Sequence, residues 1–172
     1  MNRRHALMGL AAAGAVAAPL LHGTAAAQSA PTVTPTEHLA KTLMAGTLAK
    51  QTSELALERA QNPKVKQFAG FEVAEQTAIA QVLTDVANPP PVPLDAAHAA
   101  VLTSLRPLSG AEFDRAYVQG QIQGHEELLV LQQGYLAGNN RSTDGQHIAV
   151  LARTVIQEHL IMLRDMQQML AG

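Results

Sequence analysis

Three helical stretches of this chain each carry an acid or a histidine on the stripe that should face a core: Glu72 and Glu75, then His125, then His159. Ionisable side chains are seldom buried without partners, so the pattern points to a polar site inside a helix bundle. Carboxylates and imidazoles on facing helices form the ligand set of oxygen- and nitrogen-preferring ions, with iron, manganese and zinc as the candidates. The same four residues also suit a buried hydrogen-bonded network in which Glu72 or Glu75 pairs with His125, His159 or Lys50, and this is the plainer of the two readings. A di-iron centre wants Glu-x-x-His on each of two helices. Here Glu72-x-x-Glu75 ends in Glu, and Ile156 stands three residues before His159. No residue is assigned a catalytic role.

The positioning elements follow from breakers and caps. Thr34-Pro35-Thr36-Glu37 reads as a capping box with proline at the first helical position, and the helix it opens runs to about Gln61, before Asn62-Pro63. A second helix is predicted from Lys64 to Ala87. Five prolines then punctuate Asn88 to Gly110 around one short helical stretch, Leu94 to Leu105. Ser109-Gly110-Ala111-Glu112 reads as another capping box, opening a third long helix to Ala137, and the fourth fills Thr143 to Leu170. Short turns join helices one to two and three to four, while a long segment joins two to three. The spacing therefore predicts an all-α, ferritin-like four-helix bundle with one long crossover between helices 2 and 3.

Helical spacing also predicts which faces turn inward. Helix two offers Phe68, Glu72, Glu75, Ile79, Val82 and Val86, with Gln76 one turn after Glu72. Helix three offers Val118, Ile122, His125 and Leu129. Helix four offers Ile148, Ala152, Val155, His159, Met162, Met166 and Met169. The three methionines read as core, with a soft copper-binding ladder beside His159 as the lesser alternative. On helix one, Leu43, Thr47, Lys50, Glu54 and Leu57 form the face that would add Lys50 and Glu54. His38, His98 and His147 lie near helix ends and are expected in solvent, as are Glu126, Glu127, Arg164 and Asp165.

The amino terminus has Arg3 and Arg4, an apolar run from Ala6 to Leu21 and a small-residue end at Ala25-Ala26-Ala27. These mark residues 1–27 as an export signal, with 28–36 as linker and 37–172 as the bundle domain. The arginine pair resembles a twin-arginine signal, general secretion being the other route. No transmembrane anchor is expected once the signal is removed. The chain has no cysteine, which removes disulfides and thiolate metal sites. Without the signal, ten basic residues face fourteen acids. No basic stripe remains for nucleic acid, and no phosphate loop or aromatic platform is present in the sequence.

The strings VKQFAGFEVAEQ at Val65–Gln76, FDRAYVQGQIQGHEELL at Phe113–Leu129 and IQEHL at Ile156–Leu160 resemble the secreted bacterial family described as domain of unknown function 4142. The similarity covers about Glu37 to Leu170. It implies a ferritin-like four-helix bundle exported to the periplasm or cell envelope, with no established activity. Many members carry Asp-His where this chain has Glu75-Gln76, and a glutamate near the position of Ala49, so two positions that could complete a metal site differ here. Asp114 and Tyr117 read as a fold-fixing hydrogen-bond pair. The function expected is a non-catalytic binding or stress-associated role in the envelope. One alternative is a metal-binding or metal-storage protein using Glu72, Glu75, His125 and His159, and a second is a metal-dependent oxidoreductase on the same site.

Overall fold

Thr34 and Glu37 close the predicted capping box: the Glu37 N–H donates to Thr34 Oγ1 at 3.2 Å and the Thr34 N–H donates to Glu37 Oε2 at 3.1 Å. They start α1 (Pro35–Arg59), which is followed by α2 (Pro63–Ala87), α3 (Ala96–Leu105), α4 (Gly110–Ala137) and α5 (Thr143–Ala171). This computed structural model describes residues 33–172. The expected export signal lies outside the described residues. Asn62 caps α2 by accepting from the Lys64 N–H at 2.9 Å, and Asn88 ends it in the left-handed region at φ 41°. The capping box expected at Ser109 does not form. Its side chain makes no cap bond, because Gly110 enters the helix at φ 59° and turns the chain past the position from which a serine would reach Glu112.

Cross-helix contacts fix the topology. Asp114, near the start of α4, accepts from the N–H groups of Gln61 and Asn62 just past the end of α1, at 3.0 and 2.9 Å. At the other end, His38 of α1 meets Gln132 of α4. The two helices are therefore antiparallel. The pairs Gln119 with Gln167 and Glu126 with Arg164 set α5 antiparallel to α4. With α1 and α2 forming the other hairpin, α2 and α4 run parallel, and the chain must travel the length of the bundle between them. The proline-rich segment carrying α3 makes that passage, so the all-α bundle with one long crossover is borne out. Among the described residues no helix is long and apolar enough to cross a membrane.

Phe68, Phe113, Val118, Ile122, Ile156 and Leu163 fill the half of the interior near the α1/α2 turn. Burying each such side chain contributes about 1.5–3 kcal/mol. Towards the opposite end the interior is polar. His38, expected in solvent, is 2% exposed; it stacks on Tyr135 at 3.9 Å, and the Gln132 amide that meets it also donates to Thr42.

Helix α1 buries His38, Thr42, Gly46, Thr52, Ser53 and Ala56 rather than the face of Leu43, Thr47, Lys50, Glu54 and Leu57. Small residues win that face because they let α1 approach its neighbours closely: a Cβ on Gly46 would lie 2.6 Å from Gln76 Oε1. Lys50 pairs with Glu54 at the surface at 2.5 Å and takes no part in the interior. Val82 and Val86 on α2, and Met162 and Met169 on α5, are likewise exposed, at 38–46%. The buried rows are rotated onto Ala69, Gln76 and Leu83 in α2 and onto Ile156, Leu160 and Leu163 in α5.

Asp114 and Tyr117 fix the fold through separate partners and not as a pair: Tyr117 Oη lies 2.8 Å from Ser53 Oγ. The Asp114→Ala variant should leave two part-buried N–H groups without their shared acceptor. A cost of about 1–3 kcal/mol in total is expected, read as a lower urea midpoint at unchanged slope.

Candidate metal centre

Three helices meet at Glu72, which is fully buried on α2. Its Oε1 lies 3.4 Å from His125 Nε2 on α4 and 3.0 Å from His159 Nδ1 on α5, and the two imidazole nitrogens lie 3.2 Å apart. Three donor atoms on three helices thus close a triangle. Metal bonds of about 2.0–2.2 Å to nitrogen and oxygen place neighbouring ligands of a tetrahedral ion roughly 3.3–3.5 Å apart. The observed edges, 3.0 to 3.4 Å, lie at or just below that spacing. A triangle of these edges has a circumscribed radius of about 1.9 Å, so one ion just above its plane reaches all three atoms with bonds of normal length.

The outer nitrogens of both rings are held as metal ligands require. His125 Nδ1 lies 2.8 Å from the Gln121 carbonyl oxygen, which can only accept. The proton of the neutral ring therefore sits on Nδ1, and the Nε2 lone pair faces Glu72. On the far side of His159, Nε2 lies 3.4 Å from Glu75 Oε2. A proton there leaves Nδ1 free to bind, giving the carboxylate, imidazole and metal sequence that orients ligating histidines.

Neither Glu72 oxygen receives a hydrogen bond of acceptable direction from any described group. The imidazoles approach closely enough to bias its proton, while His125 Nε2 and His159 Nδ1, 3.2 Å apart, are in hydrogen-bond geometry with one another. Burial alone would raise the Glu72 carboxyl; the two imidazoles outweigh it and hold the group at about 2. For His159 burial favours the neutral ring, but Glu72 and Glu75 prevail and raise its pKa. Glu75 is pushed up by partial burial and by the charge of Glu72. In the metal-free protein the centre is thus an anionic Glu72 beside an imidazole that favours its proton.

Of the four residues expected as ligands, the structure brings Glu72, His125 and His159 together. Glu75 stands behind His159, outside the triangle, at the rim of a groove of about 220 Å³ between α2 and α5 walled by Ala78, Ile79, Val82, Ile148, Leu151 and Val155. Gln76 is buried beside Gly46 and does not join the cluster. Phe68 closes the site with its ring 5.1 Å from that of His159.

Two features escaped the sequence reading. The Gln121 carbonyl orients His125, and only the i−4 position of a helical neighbour could have signalled it. Gln121 also donates to Thr52 at 3.0 Å, part of a network with Ser53 and Tyr117 that supports this side of the centre from α1. Thr52, Ser53 and Gln121 in this network carry no hydrophobic signal in the sequence.

The three strings that resemble a known family lie on these helices: the first on α2 up to Gln76, the second on α4 through His125, the third around His159. A family model described as Domain of unknown function (DUF4142) matches residues 21–166. The chain belongs to this family. No curated protein and no solved structure matches it. Gln76 and Ala49 occupy the two positions at which the resemblance implied a further His and Glu. The triangle of Glu72, His125 and His159 requires neither.

Proposed function

We propose that this DUF4142 protein is an exported, periplasmic or envelope metal-binding protein, with a first-row divalent ion held by Glu72 Oε1, His125 Nε2 and His159 Nδ1. The observation that carries the reading is the Glu72 carboxylate: wholly buried, without a directed hydrogen bond among the described residues, and capped by two imidazole nitrogens whose opposite nitrogens each face an acceptor. A divalent cation there neutralises a charge that is otherwise costly to bury. Iron, manganese and zinc all accept two imidazoles and a carboxylate. The role is binding or storage, in the setting that the amino-terminal segment predicts.

A second reading, a metal-dependent oxidoreductase, draws support from the count of ligands. Three protein donors leave coordination positions open on any of these ions, the arrangement that two-histidine, one-carboxylate iron sites use for reactivity.

Equilibrium dialysis against zinc, manganese and ferrous iron, followed by elemental analysis, tests the proposal. One ion per chain in the wild type and none in His125→Leu/His159→Leu supports it, and equal occupancy of the two proteins removes it. The Glu75→Gln variant, which weakens the group orienting His159, should still bind, with affinity about 10–100-fold lower. Competition with a chromogenic chelator measures that difference.

A further inference from the structure

Met162, Met166 and Met169 stand at i, i+4 and i+7 on α5 and all line one groove of about 250 Å³. Core packing accounts for Met166, at 6% exposure, but not for Met162 and Met169, at 40% and 38%. In a chain without cysteine, thioethers are the soft ligands available. We propose that this groove binds a soft monovalent cation, Cu(I) or Ag(I), through the three methionine sulfurs.

The three Cα atoms are spread over about 10 Å of helix axis, and three rotatable bonds in each side chain bring their sulfurs within reach of one ion. Phe68 lines the same groove and presents an aromatic ring to a cation. Lys64 and Asp165 also line it, with opposite charges, so the groove carries no net repulsion for a single positive ion. Asn62 Nδ2 lies 4.0 Å from Met169 Sδ and steadies that side chain at the groove. Phe68 also packs against His159, so the soft groove and the Glu72 centre share a wall while differing in ligand chemistry. Thioethers select the soft monovalent ion, and imidazole with carboxylate selects the divalent one.

The test is titration of the purified, metal-free chain with silver nitrate in chloride-free buffer, followed by calorimetry. One Ag(I) per chain is expected in the wild type. Met162→Leu/Met169→Leu changes two exposed positions at nearly constant volume, so the fold is kept, and should lower the affinity by about tenfold or more, as removal of two soft ligands requires. Zinc added in stoichiometric amount should leave Ag(I) binding unchanged. No binding by the wild type, unchanged binding by the double methionine variant, or displacement of Ag(I) by zinc would each overturn the proposal.

Discussion

Glu72→Ala is expected to abolish stoichiometric divalent-metal binding and, in the metal-free protein, to cost about 3–5 kcal/mol of stability, because it leaves an imidazolium buried without its counter-ion. Glu72 is the one member of the triangle that is fully buried, and both imidazoles face it. Its removal therefore strands His159, whose proton the Glu72 charge helps to hold. The companion variant, Glu72→Leu/His125→Leu/His159→Leu, should also bind no metal yet recover most or all of that loss. Replacing a complete buried ionic group by apolar side chains of similar volume is often neutral or stabilising. Chemical denaturation of the two variants alongside the wild type checks both expectations. A triple variant less stable than the single one would show that the centre is held by packing and not by charge.

Metal-free protein should have a stability plateau that falls away on both sides, whereas the metal-loaded form should keep its stability on the alkaline side. The carboxyl of Glu72 is lowered from 4.5 to about 2, so its contribution is present above about pH 4.5 and fades as pH falls towards 2. His159 is raised from 6.5, so its contribution is complete below about pH 6.5 and is lost as pH rises through the folded value. A cation bound there would replace that proton on Nδ1. Metal affinity should then climb as pH rises towards the folded value of His159, by up to one proton per ion from this group, and level off once His159 is neutral in the free protein. At a free-ion concentration a thousandfold above Kd, loading stabilises by about 4 kcal/mol. Thermal melts from pH 4 to 9, with and without zinc, measure both effects. Parallel curves for the two forms would mean that His159 is not a ligand.

Helix boundaries were legible in the sequence to within a residue or two, since proline, asparagine and glycine act locally: Thr34 with Glu37, Asn62-Pro63 and Asn88 all lie where their caps are seen. The inward placement of Glu72, His125 and His159 was legible for a related reason, as each interrupts an apolar row on a long helix. The rotation of a helix whose buried face is small and polar was not. His38, Thr42, Thr52 and Ser53 carry no hydrophobic signal, and their burial follows from close approach of α1 and from partners on α4 more than 60 residues away. Glu75 shows the same limit at finer scale. Its spacing puts it near Glu72, but only the orientation of the His159 ring places it behind His159 and outside the triangle.

The most direct test of the centre is anomalous diffraction at the zinc edge from crystals of the zinc-loaded chain. A single strong peak about 2.0–2.2 Å from Glu72 Oε1, His125 Nε2 and His159 Nδ1 is the predicted result. Zinc found only at surface sites such as His147 or Asp144, with Glu72 hydrogen-bonded directly to both imidazoles, would contradict it and leave a structural polar core in place of a metal centre.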